Sequence, residues 1–104
     1  MIVEERTYHV FTGKLPEVVR LYAEEGTQLQ QEHLGNLLGA FTVDVGEPSS
    51  IVQLWGYDSY AQRERRRALL QADERWKAFL GKLQPLLHTQ RNRILLPTPF
   101  SPIR

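Results

Sequence analysis

Four stretches of the chain carry strand-type residues bounded by turn chemistry, and two stretches between them repeat apolar positions at helical spacing. Residues 2–11 are rich in Val, Ile, Thr, Tyr and Phe, with Gly13 following as a breaker, and read as a strand. One face carries Val3, Glu5, Thr7, His9 and Phe11, the other Ile2, Glu4, Arg6, Tyr8 and Val10; each mixes apolar and charged groups. Residues 15 to about 33 read as a helix, with Pro16 in the first turn, where a missing N–H costs nothing. Val18, Tyr22 and Leu29 form its apolar stripe beside Leu15 and Val19. Gly26 is expected to loosen or kink this helix and Gly35 to end it.

Residues 36–45 form a second expected strand, with Leu37, Gly39, Phe41, Val43 and Val45 on one face. The run Gly46-Glu47-Pro48-Ser49-Ser50 is turn chemistry, so residues 51–57 complete a hairpin. Ile51, Gln53, Trp55 and Tyr57 alternate there with Val52, Leu54 and Gly56. Ser59 suits the N-cap of a helix over 60–71, and Asp73 caps a continuation over 74–83 that Pro85 stops. Its expected buried stripe is Ala61, Ala68, Leu69, Ala72, Trp76, Phe79 and Leu83. Residues 91–96 read as a short fourth strand, and the proline-rich residues 97–104 as an extended C-terminal arm of a single domain spanning 1–104.

The order strand, helix, strand, strand, helix, strand is that of the α+β ferredoxin-like fold, a four-stranded antiparallel sheet with both helices on one face. The other face is left bare. If Val52 and Leu54 point to the helices, that bare face displays Trp55 and Tyr57, a larger apolar patch than monomers usually expose. A chain of 104 residues has no second domain to cover it, so a homodimer packed face to face into a barrel is expected.

Composition narrows the chemistry. With 13 Lys plus Arg against 12 Asp plus Glu, there is no global field to attract nucleic acid or an anionic membrane. The absence of cysteine excludes thiol chemistry and Cys-based metal sites. No HExxH, His-x-His, acidic calcium loop or glycine-rich phosphate loop occurs, so neither a metal nor another cofactor is expected. The N-terminus lacks signal-peptide features and no apolar run approaches a membrane span, which leads to a cytoplasmic location as the expectation.

Several segments together resemble one family. They are Glu4-Glu5-Arg6-Thr7-Tyr8, Gly35-Asn36-Leu37-Leu38-Gly39-Ala40-Phe41, and Leu54-Trp55-Gly56-Tyr57-Asp58-Ser59 followed by Arg63 and Arg65-Arg66-Arg67. Asp73, Trp76 and Phe79 continue the series, and Ile94-Leu95-Leu96-Pro97 with Pro99-Phe100-Ser101-Pro102 ends it. The chain resembles the NIPSNAP family of small dimeric α+β-barrel proteins. The resemblance implies a ferredoxin-like protomer and a barrel dimer. It carries over no chemistry, because the wider superfamily includes cofactor-free monooxygenases, isomerases, cyclases and haem-degrading enzymes that use different residues. Where the family is expected often to have a His, this chain has Gln53, whose amide cannot take up a proton near neutral pH.

Two sets of residues are candidates for function. His9, with Glu5 at an alternate position on the same strand face, is a candidate acid–base pair for a cofactor-free enzyme. Gln53, Trp55 and Tyr57 are candidate contacts for a small hydrophobic or aromatic ligand between the sheet faces; the alternative is that the rings are interface core and the protein is purely structural. The arginines from Arg63 to Arg67 read as a solvated helix face with weak ion pairs. The central strands lack the basic and aromatic patterns of an RNA-recognition module.

Overall fold

The computed structural model describes residues 1–104. Strand β1 spans Ile2–Val10; a helical arm follows as α1 (Leu15–Leu21), a π-turn (Tyr22–Gly26) and α2 (Thr27–Leu34). Strands β2 (Asn36–Thr42) and β3 (Ser50–Tyr57) form the hairpin, α3 (Tyr60–Ala72) and α4 (Glu74–Leu83) the second helical arm, and β4 (Leu87–Leu95) the last strand. All pairings are antiparallel in the order β2-β3-β1-β4, the ferredoxin-like α+β arrangement. No helix is long and apolar enough to cross a membrane.

The local signals act where they stand in the chain. The Ser59 hydroxyl accepts the Gln62 N–H and starts α3; the Asp73 carboxylate accepts the Arg75 N–H and starts α4. Gly35 ends α2 at φ +86°, a left-handed conformation that glycine adopts without a Cβ penalty. Gly26 lies in the π-turn, directly under the Phe79 ring, which occupies the space a Cβ would need. The extra residue in that turn brings Tyr22 edge-on to Phe79, with ring centroids 5.4 Å apart.

Strand β4 begins four residues earlier than the 91–96 expectation, because β1 supplies a pairing partner for polar residues that carry no apolar signal of their own. Strand β2 ends at Thr42 rather than 45, and β1 at Val10 rather than 11. In α3 the expected stripe is also shifted: Ala61, Ala68, Leu69 and Ala72 are exposed, and Leu70 is the residue that enters the core. The α4 positions Trp76, Phe79 and Leu83 are buried as their spacing requires.

The largest correction concerns β3. Ile51, Gln53, Trp55 and Tyr57 point to the helices and are buried, while Val52 and Leu54 face the bare side. Trp55 is 0% exposed. Strand β1 follows suit: Ile2, Glu4, Arg6, Tyr8 and Val10 lie under the helices, and Val3, Glu5, Thr7 and His9 on the bare side. In β2 a register shift between Leu37 and Gly39 turns Leu37 into the core and leaves Phe41 on the bare face opposite Val52. The residues after β4 fold back over one corner of that face. There Val3, Leu54 and Leu95 line an apolar hollow of about 290 Å³ with Leu96, Pro97 and Ile103.

Candidate functional site

Burying charged groups between a sheet and its helices is costly unless they are paired, so the polar content of the covered face is informative. The Glu4 side chain is fully enclosed and accepts hydrogen bonds from four donors. These are Arg6 Nη1 at 3.0 Å, Arg63 Nε at 3.2 Å and Nη2 at 2.8 Å, and Asn92 Nδ2 at 3.2 Å. Burial by itself would raise the Glu4 pKa; the Arg63 hydrogen bonds and the fields of Arg6, Arg63 and Arg67 outweigh it and lower the pKa. Arg6 Nε also donates to the Tyr8 hydroxyl at 2.8 Å.

Arg63 and Arg67 are one turn apart on α3, with Leu70 another turn on, so all three reach the sheet when Leu70 enters the core. The reading of Arg63 and Arg67 as a solvated face is therefore corrected. Arg66 docks its guanidinium on the Leu34 carbonyl at 2.6 Å, and only Arg65 is left exposed among these arginines. Arg67 makes no hydrogen bond and no ion pair. Burial, and then repulsion from Arg6, lower its pKa. One carboxylate thus faces three guanidiniums, and the surplus positive charge collects at Arg67.

Beside it lies a cleft of about 180 Å³ between the helices and the β4 side of the sheet. Along this edge β4 residues 88–93 are exposed. Arg6, Tyr8, Tyr22, Arg67 and Trp76 line it together with leucines of α4 and β4. The buried Tyr22 hydroxyl has no hydrogen-bond partner. Burial, and then the charge and the hydrogen-bonding proximity of the adjacent Tyr8, push the Tyr22 phenol well above its ordinary pKa.

The sequence-based candidates fall in two other places. The Gln53 amide donates to Gln30 Oε1 at 3.1 Å and accepts from Trp55 Nε1 at 3.2 Å, joining the sheet to α2 inside the core. The Tyr57 hydroxyl is buried nearby without a partner. His9 and Glu5 do share the bare side, but they do not pair with each other: Glu5 accepts from Arg93 Nε at 2.9 Å. His9 Nδ1 lies 2.8 Å from Ser50 Oγ, and its Nε2 lies 3.1 Å from Glu47. This Ser-His-Glu string has the connectivity of a nucleophile relay, yet Ser50 is completely enclosed and gives no approach to a substrate. His88 lines the same shallow depression as His9. A further cluster, Glu32, His33 and Asp73, is bridged by Arg75, whose guanidinium bonds both carboxylates. The Arg75 and His33 contacts hold Asp73 far below the usual carboxylate range.

Against this geometry the relatives are informative. The profile of the NIPSNAP family matches residues 3–102. The chain belongs to the NIPSNAP family. A NIPSNAP family protein from Agrobacterium tumefaciens str. C58 is 48% identical, with a TM-score of 0.97 over 99% of this chain and 98% of that one. Protein NipSnap homolog 1 of Danio rerio is 26% identical over 99% of this chain, which spans only 36% of that protein's length. A crystallised antibiotic biosynthesis monooxygenase, 17% identical, superposes with a TM-score of 0.67 over 95% of this chain and 100% of its own, a likeness of fold alone.

For this NIPSNAP chain the residues that reasoning along the sequence missed are Arg67, Tyr22 and Tyr8. Their signal was present in part: Arg63 and Arg67 at a four-residue spacing ahead of Leu70 define one helix face, and Tyr8 shares a strand face with Glu4 and Arg6. What assembles them is the docking of α3 on β1, which no local pattern reports.

Proposed function

We propose that this NIPSNAP chain is a homodimeric small-molecule-binding protein whose binding compartment, one per protomer, is the cleft between β4 and α3–α4. The carrying observation is the buried, unpartnered Tyr22 hydroxyl on a cleft that also holds the unpaired Arg67. Groups of this kind are normally satisfied within a fold; Tyr57 is a second exception, and Tyr22 differs from it in lying on a cleft that also holds an arginine without a partner. The cleft replaces the space between sheet faces as the preferred compartment, because Gln53 and Trp55 already bond within the core. The acid–base reading on His9 or Glu5 has less support, since both His9 nitrogens and the Glu5 carboxylate are engaged.

Trp76 lines the cleft and Trp55 does not, so fluorescence distinguishes them. Titration with single-ring aromatic compounds is expected to change the emission, and Trp76→Phe to abolish the change. A full panel that leaves both the emission and the amide NMR spectrum unmoved sinks the binding proposal.

The dimer is proposed from the bare face. It carries Phe41, 56% exposed, beside Val52 and Leu54, with the Glu5–Arg93 and Arg91–Glu47 pairs further along. Apolar and mixed-charge zones on one face let a two-fold-related copy meet it in kind. Light scattering is expected to give twice the 12.1 kDa chain mass, and Leu54→Arg to halve it. A wild-type monomer at micromolar concentration overturns this part.

A further inference from the structure

We propose that the ligand of the cleft is a small planar aromatic anion, with Arg67 as the receptor for its negative charge and Tyr22 as a hydrogen-bond donor beside it. The inference rests on the cleft being a binding site and adds the chemical class.

Charge supplies the first argument. Arg6 and Arg63 are committed to Glu4, and Arg6 also to Tyr8. Arg67 makes no such bond although it is half-buried, with Arg6 repelling it and the Glu4 carboxylate already engaged by Arg6 and Arg63. A guanidinium in that position gains a charge-assisted, forked pairing only when an anion arrives. The Tyr22 hydroxyl is enclosed beside Tyr8, so it donates to the same anion only once the Tyr8 ring shifts aside. A cationic ligand is repelled by Arg67 and Arg6, the two arginines that line the cleft, and a neutral one leaves the Arg67 charge unanswered.

Shape supplies the second. The cleft, at about 180 Å³, is below the roughly 300–1,000 Å³ of sites for drug-sized molecules. Its walls combine the Trp76, Tyr8 and Tyr22 rings and three leucines with Arg6, Arg67 and the amides of Gln71, Gln84 and Gln90. That suits one flat ring bearing one anionic group.

The test compares benzoate, benzamide and inorganic phosphate on the 104-residue chain, read by Trp76 fluorescence and amide NMR shifts. Benzoate is expected to bind about tenfold tighter than benzamide, the value of one charge-assisted hydrogen bond pair in place of neutral ones. That ratio is expected to fall toward one in Arg67→Gln and to survive partly in Arg67→Lys, which keeps the charge but not the fork. Tyr22→Phe is expected to weaken benzoate without erasing the ratio. Circular dichroism confirms that each variant is folded. Equal binding of benzoate and benzamide by the wild type overturns the anion assignment and leaves the cleft as a binding site. Tighter binding of phosphate than of benzoate overturns the aromatic body. Binding of none of the three overturns this inference, and the general binding reading falls only if the wider panel is silent as well.

Discussion

Replacing Glu4 with alanine is expected to destabilise the fold by about 3–5 kcal/mol, a large part of the roughly 5–15 kcal/mol that holds a domain of this kind together. The carboxylate is enclosed and accepts from Arg6, Arg63 and Asn92. Its removal leaves the guanidiniums of Arg6, Arg63 and Arg67 close together with only the exposed Glu64, paired to Arg63, as counter-charge, and a space that only water could fill. Glu4→Gln keeps most of the shape and is expected to lose less, in the same direction. Urea unfolding of the two variants and the wild type at pH 7 checks the order. The pH dependence follows from the lowered Glu4 pKa. Its contribution to stability is fully present above the ordinary value of 4.5 and is lost as pH falls through the lower folded-state value. Glu4→Gln should therefore lack the part of the acid-side loss that lies below about pH 4.5. A Glu4→Gln protein as stable as the wild type at pH 7 would mean that the carboxylate contributes no net pairing energy.

Trp55→Ala is the second large effect, at about 3–5 kcal/mol for deleting a fully buried ring. The indole is 0% exposed, packs in the core and donates to the Gln53 amide, which is in turn held by Gln30. The loss therefore combines a cavity with a buried amide short of one donor. Trp55→Phe should lose less, since it restores most of the volume but not the N–H. The distinction from the cleft matters: in whatever fraction remains folded, benzoate affinity is expected to stay near the wild-type value, whereas Arg67→Gln is expected to change affinity and leave stability unharmed. A selective loss of binding in Trp55→Phe, with an unchanged urea midpoint, would return Trp55 to the ligand contacts.

These contrasts show how far the chain could be read. Elements were legible where one residue carries a local cause: Ser59 and Asp73 at helix starts, Gly35 at a helix end, Gly26 at the irregular turn. The fourth strand was legible only from Arg91 onward, because His88, Thr89 and Gln90 are strand by virtue of β1 beside them. The face assignment of β3 failed for a definite reason. Ile51, Trp55 and Tyr57 alternate with Val52 and Leu54, both sets are apolar, and the period of two then carries no preference. Likewise His9 was paired with Glu5 by spacing, whereas its acidic neighbour is Glu47, brought across by the β2–β3 hairpin.

By itself the sequence determined the order and type of the elements, the antiparallel split βαβ topology, and the exclusion of thiol chemistry, because caps, breakers, strand-type runs and composition act locally or not at all. Only the tertiary structure decided which sheet face the helices cover, that Arg63 and Arg67 turn inward onto Glu4, and that an unpaired guanidinium and an unpartnered Tyr22 hydroxyl meet at one cleft. Those outcomes depend on how two amphipathic layers dock. Docking is settled by total burial and charge pairing across the interface, quantities that belong to pairs of residues as distant along the chain as Glu4 and Arg63.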